Sequence, residues 1–390
     1  MKKIILTVAF CGMTAGAFAQ SESIERILQS IEQNNRELQA GAQNTEAEKL
    51  EVKAENNLEN PGAEYSRKFG ENGGAEVEMS VTQSFDFPLL YASRNAYGKL
   101  QGRALDLQQA VLRRDVLLRA KELCLDLIAL NKMKALYEQR IKNVSQMEHL
   151  YEKRLKEGDA NILEVNKVKM ELMNLNADVA ENNAAHRTAL QELLAMNGNM
   201  PLEFTETSFP VLPALKSLAE VSSEVAGTDY ELRSAQAGTE AARKLVTVNK
   251  QGWLPQLEVG YCREGATGDM ANGFIVGVSI PVFNNRNKVK AARARQLSAE
   301  LTQEQVNMKV QADIQSLYNE ASQLGDALKL YDAVLMERTL DALMQAVEAG
   351  QISVLDYFTE AEAIYQNQEK MVNLENSYQK AMARLYKNSL

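Results

Sequence analysis

Five landmark residues of this chain recur in the same order 192 to 194 positions later. The landmarks are two leucines, two prolines and a glycine: Leu38, Pro61, Pro88, Gly158 and Leu163, which return as Leu232, Pro255, Pro281, Gly350 and Leu355. Landmarks that keep their spacing over such a distance indicate two copies of one structural unit. Each copy is predicted to contain a short helix, a long helix, two strands, a very long helix and a further long helix.

The repeat divides the chain into four segments. We assign residues 1–19 to a signal peptide, 20–196 to the first repeat, 197–213 to a linker and 214–390 to the second repeat. Strands are predicted at about 63–69, 75–87, 255–263 and 272–282, and helix-hairpin tips near 158 and 350.

The start of the chain is typical of a secretion signal. Lys2 and Lys3 precede an apolar run from Ile4 to Phe10, and Ala17-Phe18-Ala19 forms a small-large-small motif that predicts cleavage before Gln20. No later stretch approaches the roughly 18 apolar residues of a membrane-spanning helix. The net charge of −9 argues against nucleic acid as a partner and is compatible with cations.

Long uninterrupted helices are predicted in both copies. No proline occurs between Tyr91 and Lys156, and apolar residues recur there every seven positions: Val116, Leu123, Leu130, Tyr137, Val144 and Tyr151. The second copy repeats the pattern in two rows: Val310, Leu317, Leu324 and Tyr331, with Ile314, Ala321, Leu328 and Leu335. A strict seven-residue repeat requires supercoiling with neighbouring helices.

The predicted strands alternate between apolar and polar residues. Residues 77–87, for example, place valines, methionine and phenylalanines on one face and glutamate, serines, threonine and aspartate on the other, with Gln83 as the one exception. A half-buried strand of a soluble sheet would show the same alternation. Four strands cannot close a barrel, and open edges are not tolerated in hydrocarbon, so several copies would have to close one barrel together.

Strand-end and tip motifs then give the chain a resemblance to the TolC family of outer-membrane efflux channels. The strand-end motifs are Gln83 to Pro88 and Gly277 to Phe283, and the tip motifs are Arg154 to Gly158 and Ala349 to Asp356. All occur in duplicate, in order and behind a signal peptide, over the whole predicted mature chain. The short ends and compact linker are similar to those of the metal-cation branch of this family.

The resemblance implies a mainly α-helical chain with membrane β-strands. Four strands per chain would join a 12-stranded β-barrel in a homotrimer, and the long antiparallel coiled coils would form an α-barrel extending into the periplasm. The implied partners are a periplasmic adaptor protein, an inner-membrane pump of the RND type and outer-membrane lipid. The implied function is passive conduction of substrate through the outer membrane of a Gram-negative bacterium.

Alignment to the tip glycines implies an acidic aperture. Asp356 lies six residues after Gly350, as Glu164 lies after Gly158, and Glu360 lies one helical turn further. Three copies of such an acid around a narrow opening would favour cations. The alternative for Asp356 is a solvated residue near a helix N-terminus, where the helix dipole favours an acid.

The same alignment implies adaptor docking at the tips, through Arg154, Leu155 and Gly158 in the first copy and Val347 and Gly350 in the second. The alternative for Arg154 and Leu155 is a solvated arginine beside an ordinary heptad leucine.

The sequence contains no recognisable catalytic constellation, and we predict neither an enzyme nor a cofactor or metal site. The two histidines, His149 and His186, have no ligand-spaced companions. The alternative function is a periplasmic coiled-coil adaptor or structural protein. The cargo stays open among metal ions, drugs and proteins.

Overall fold

A computed structural model describes residues 12–69, 75–266, 269–283 and 285–390, with side chains from residue 23 onward. Residues 1–11 of the predicted signal and the predicted turn at 70–74 lie outside the described residues.

Nine α-helices and four β-strands account for most of this described part. The helices are α1 (Gly12–Asn34), α2 (Arg36–Ala54), α3 (Pro88–Glu157), α4 (Ile162–Met196), α5 (Leu218–Thr228), α6 (Tyr230–Gln251), α7 (Lys288–Leu328), α8 (Ala333–Glu348) and α9 (Val354–Leu385), followed by a 3₁₀ turn at Lys387–Ser389. The strands are β1 (Gly62–Phe69), β2 (Ala75–Phe85), β3 (Gln256–Ala266) and β4 (Asp269–Ser279). No helix in the described ranges is long and apolar enough to cross a membrane.

The chain divides into two compact units. One contains the described residues up to Gln39 together with Arg113–Gly227 and Ala312–Leu390, and it holds the tips of both helix hairpins. The other contains Ala40–Leu112 and Thr228–Gln311, and it holds the sheet.

The repeat is visible as a matched pair of helix breaks. Asn35 separates α1 from α2, and its side-chain oxygen accepts a hydrogen bond from the backbone N–H of Leu38 at 2.9 Å. Asp229 separates α5 from α6 and accepts from Leu232 at the same distance. A side-chain acceptor three residues before a free N–H is the usual way to begin a helix. The repeated leucines therefore mark the first turn of equivalent helices.

The strands form one antiparallel sheet in the order β1-β2-β3-β4. The register makes one face, here called the apolar face, from the odd-numbered residues of β1, β2 and β3 and the even-numbered residues of β4. Its large side chains are exposed: Tyr65, Phe69, Met79, Val81, Leu257, Val259, Tyr261, Phe274, Val276 and Val278. The opposite face, here called the acidic face, carries all six acids of the strands: Glu64, Glu76, Glu78, Glu258, Glu264 and Asp269.

Two local expectations were wrong. The last two strands were predicted to end at about 263 and to begin at about 272, but Glu264 pairs with Ala271 and Gly265 with Met270, so both strands continue almost to the hairpin end. The backbone ladder extends there because its hydrogen bonds do not depend on apolar side chains.

The second long coil of the repeat is also interrupted. It breaks between Leu328 and Ala333, and the side chain of Asp332 caps α8 by accepting from Leu335 at 2.9 Å. Leu335 continues the heptad row in sequence, yet 62% of it is exposed. The buried residues of α8 are Leu340 and Val347, so Leu335 lies outside its packed face.

Asn35→Ala is expected to lower the free energy of unfolding by about 2 kcal/mol, because it removes a helix cap and a buried donor. The Asn35 side chain also donates to the carbonyl of Met196 at 2.9 Å. Thermal unfolding followed by helical circular dichroism measures the change. The control is Asn44→Ala, whose exposed amide bonds only to Glu48 on its own helix. Equal losses for both variants would contradict this role for Asn35.

Candidate functional site

The two hairpin tips share one backbone conformation. Gly158 and Gly350 have φ angles of +84° and +70°, which side-chain-bearing residues rarely adopt. After each glycine the chain closes the preceding helix with the same bond: Asp159 donates to the carbonyl of Arg154, and Gln351 to that of Ala346, both at 2.8 Å. The tips are therefore structural equivalents, as their place in the repeat suggests.

Each tip then starts its second helix with a capping box. In the first tip, Asn161 caps α4 and its backbone N–H donates to the carboxylate of Glu164 at 2.8 Å. In the second, Ser353 caps α9, and its hydroxyl donates to the carboxylate of Asp356 at 2.7 Å. Two of the acids predicted at the aperture are thus the third residues of capping boxes.

The predicted aperture acids differ in exposure. Asp356 and Glu360 are both exposed, one turn apart on α9, whereas Glu164 is half-buried. Thr359 lies between the α9 acids, and its hydroxyl donates to the carbonyl of Leu355 at 2.9 Å. Asp356 therefore helps to cap the start of its own helix, as the alternative interpretation predicted. Its exposed carboxylate is still accessible to solvent.

The predicted docking residues face inward more than expected. The Arg154 guanidinium donates to the backbone carbonyl of Glu348 at 2.8 Å and lies over the ring of Tyr151 at 5.3 Å. It therefore ties the end of α3 to the last carbonyls of α8, where a cation is favoured. Leu155 is half-buried against the core, and Val347 is fully buried in it. Val347 cannot touch a partner from this position, so that expectation was wrong.

The exposed apolar residues at the tips are different ones. Leu163 is 73% exposed at the start of α4, and its repeat counterpart Leu355 is 53% exposed at the start of α9. Ile162 beside Leu163 is also exposed. The sequence contains a signal for them, since each leucine lies the same distance after its tip glycine.

A shared core lies behind both tips. It is built from buried side chains of α3, α4, α8 and α9: Val144, Met147, Tyr151, Val165, Val168, Leu175, Leu340, Val347, Val354, Tyr357, Phe358, Ala361 and Tyr365. Packing of this kind fixes the two hairpins against each other within the unit.

A buried arginine joins three of these helices. Arg140 on α3 is 8% exposed and pairs with Glu171 on α4, which is also buried, and with Glu362 on α9 at 2.7 Å. Its guanidinium lies over the ring of Tyr365 at 4.4 Å. Burial opposes the charge, but Glu171 and Glu362 outweigh it and raise the pKa of Arg140. The cluster therefore keeps a charged guanidinium in the core by surrounding it with carboxylates and a ring.

Glu369 on α9 stands at the edge of this cluster. Its carboxylate lies 4.0 Å from Arg140, a long ion pair. Burial raises the pKa of Glu369 above its ordinary value of 4.5, and the arginine only partly offsets this effect. The ionised side chain is thus held at a net cost to the fold.

The described residues contain no group of three or more His, Cys, Asp or Glu that could hold a metal ion. His149 is exposed, and burial lowers the pKa of the half-buried His186. Cys124 is buried on α3, and burial raises the pKa of its thiol to about 12. Cys262 lies on the acidic face of the sheet.

Comparison with known proteins identifies similar chains. A family described as "Outer membrane efflux protein" matches residues 221–388. The "Probable outer membrane lipoprotein SilC" of Salmonella typhimurium is 22% identical over 400 aligned positions, covering 93% of this chain and 84% of that protein. The cation efflux system protein CusC of Escherichia coli K12 is 23% identical over 243 positions, covering 59% of this chain and 50% of CusC.

The fold has a counterpart among solved structures. A crystal structure of CusC superposes with a TM-score of 0.75 at 16% identity, covering 94% of this chain and 92% of that one. This likeness confirms the predicted fold class. The sequence matches agree with the predicted resemblance, because the matching family and both relatives are described as outer-membrane or cation efflux proteins.

Glu369→Gln is expected to raise the melting temperature at pH 7.5 and to leave it nearly unchanged at about pH 4. The folded-state pKa of Glu369 is raised, so its destabilising effect is absent below the ordinary value of 4.5 and develops as the pH rises through the folded value. Thermal unfolding at both pH values measures it.

Glu362→Gln is the matched control, because it removes the shorter pair with Arg140 from the same helix and should lower stability at pH 7.5. A loss of stability in Glu369→Gln at neutral pH would show that attraction to Arg140 exceeds the cost of burial.

Proposed function

We propose, from the premise that this chain is a TolC-type outer-membrane efflux channel, that three copies close one conduit. Support comes from the edges of the sheet. Strands β1 and β4 each have a partner on one side only within the described residues. Free backbone N–H and C=O groups are strongly unfavourable in hydrocarbon, so neighbouring copies must pair with both edges. Three copies of four strands would supply the 12 strands implied by the resemblance.

The separation of the two faces of the sheet is the observation that carries this proposal. Phe274 and Val276 on the apolar face are 88% and 81% exposed, which favours contact with lipid over contact with water. The acidic face would then line the lumen. A periplasmic adaptor or structural protein, the alternative, gives no reason for an exposed apolar sheet face of this extent.

The charges of the acidic face support a cationic cargo. Six carboxylates and one lysine, Lys68, project from it. An excess of carboxylates along a lumen attracts cations and repels anions. This agrees with the cation efflux named for the relative CusC. We therefore propose metal cations as the substrate class, passed on passively, with no catalysis by this chain.

The tips are proposed to serve both docking and gating. The exposed tip glycines, Gly158 and Gly350, together with Leu163 and Leu355, would contact the periplasmic adaptor, which connects the channel to an RND-type pump. Arg154, through the Glu348 carbonyl, and Leu155, through the core, would hold that surface in place. Asp356, with Glu360 one turn further and Glu164 in the other hairpin, would supply the acidic aperture.

The purified chain is expected to form detergent-stable trimers that conduct cations in planar bilayers. Asp356→Asn should lower the cation-to-anion permeability ratio about threefold, because three charges leave the aperture while an amide oxygen still accepts the cap bond. Reversal potentials in a salt gradient measure this.

The control is Ser353→Ala, which removes the cap hydroxyl and keeps the carboxylate. It should lower the melting temperature and leave selectivity unchanged. A silent, water-soluble monomer would overturn the channel proposal, whereas unchanged selectivity in Asp356→Asn would remove only Asp356 from the aperture.

The double variant Leu163→Lys and Leu355→Lys is expected to reduce capture of the adaptor encoded beside this gene about tenfold or more, because it puts charge at the centre of the contact. Co-purification from cells measures the captured amount. Leu330→Lys is the control, since that leucine is 85% exposed at the break between α7 and α8. Undiminished capture would move docking away from the tip leucines.

A further inference from the structure

Two arginines interrupt the apolar face of the sheet. Arg67 on β1 pairs with Val77 on β2, which in turn pairs with Gly265 on β3. Arg263 on β3 pairs with Met79 on β2, two residues further along that strand and on the same face. Both side chains are exposed, and neither has a carboxylate within ion-pair distance among the described residues. Every acid of the strands lies on the other face. Within the described residues no carboxylate pairs with the two arginines, so their guanidinium groups are available to an external anion.

The strand register defines how far the two arginines lie from the end of the sheet that joins the helices. The β1–β2 and β3–β4 hairpins turn at the same end, opposite the end where the strands join the helices. The row of Arg67 is eight residues along β2 from the Phe85 row at the helical end. At about 3.4 Å per residue and a tilt of about 40°, that is roughly 20 Å of height, close to the outer margin of an apolar band about 25 Å tall.

Aromatic side chains surround the arginines at this level. The Arg67 guanidinium lies 5.1 Å from the ring centre of Phe69. Tyr261 packs edge-on against Phe274, and its hydroxyl donates to the side chain of Asn272 at 2.7 Å. Aromatic rings with polar tips are typical of the boundary between hydrocarbon and headgroups. Strands β1 and β3 are two strand spacings apart, which separates the arginines by roughly 10 Å across the sheet.

We propose that Arg67 and Arg263 form a binding surface for the phosphate groups of a phosphorylated lipid in the outer leaflet. The proposal rests on the proposed function, because it requires the apolar face to contact the outer membrane. A guanidinium binds phosphate through paired N–H donors, and the missing carboxylates leave those donors available. Apolar contacts of the neighbouring rings with the acyl chains would add to the attraction. The surface would anchor the channel at a fixed height in an asymmetric membrane.

The test uses the purified trimer in nonionic detergent. It is titrated separately with lipid A, with dephosphorylated lipid A and with inorganic phosphate. Native mass spectrometry counts the bound lipid molecules. Wild type should bind lipid A more tightly than its dephosphorylated form. At about 1 kcal/mol per basic residue near an anionic surface, each arginine contributes about 5-fold and both about 30-fold. Arg67→Gln with Arg263→Gln should therefore weaken lipid A binding about 30-fold. Arg67→Lys with Arg263→Lys keeps the charge but not the paired N–H donors, so it should weaken binding by a smaller factor.

Lys68→Gln is the matched control. Lys68 is the neighbour of Arg67 on the same strand, but it lies on the acidic face beside Glu78 at 3.7 Å. Lipid A binding should be unchanged in this variant. Equal weakening in Lys68→Gln, no preference for the phosphorylated lipid, or full displacement by inorganic phosphate would each overturn the proposal.

Conductance separates this inference from the proposed function. The glutamine double variant should conduct like wild type in planar bilayers, because its substitutions lie on the face opposite the lumen. Normal conductance with unchanged lipid binding would overturn the lipid site alone. A wild-type chain that binds lipid A but never conducts would count against the channel.

Discussion

Backbone hydrogen bonding at the two open edges of the sheet is the constraint on which the rest of the molecule depends. A sheet of four strands leaves one side of β1 and one side of β4 without partners. In lipid those groups have no water to bond to, so the sheet is incomplete as a single copy. The heptad rows of the long helices impose a similar requirement, since apolar side chains on a supercoiling helix need neighbours. Both features favour the assembly of several copies that is proposed above.

Charge is distributed over the sheet according to the same constraint. Within the described strands, all six acids lie on one face, and the only charges on the other are two arginines near the hairpin end. A carboxylate facing hydrocarbon would be costly, whereas a guanidinium at the boundary can reach an anionic headgroup. One register would therefore give the proposed channel an acidic lumen and a basic outer margin. The cargo proposal and the lipid proposal are two consequences of this single arrangement.

The hairpin tips combine local and distant interactions. Glu164 and Asp356 complete capping boxes within their own helices, as their spacing from the tip glycines allows. Arg154 instead reaches the last carbonyls of the other hairpin, and Arg140 joins three helices through carboxylates and a ring. The tips are consequently held by polar contacts around an apolar core, and their exposed surface is left to Leu163 and Leu355. Such a surface can bind a partner without disturbing the fold beneath it.

The sequence by itself determined the repeat, the helices, the strand alternation and the tip glycines, because each depends on residues close together in the chain. It also contained the two capping acids, since a capping box is a four-residue pattern. Only the tertiary structure decided that Arg154 turns inward, that Val347 is buried, that Asp332 ends the heptad row before Leu335, and that Arg67 and Arg263 share a face. The reason is physical: periodicity fixes which residues share one side of an element. Strand register and helix packing instead bring together side chains that are far apart in the chain, 222 positions in the case of Arg140 and Glu362, and no local pattern specifies those contacts.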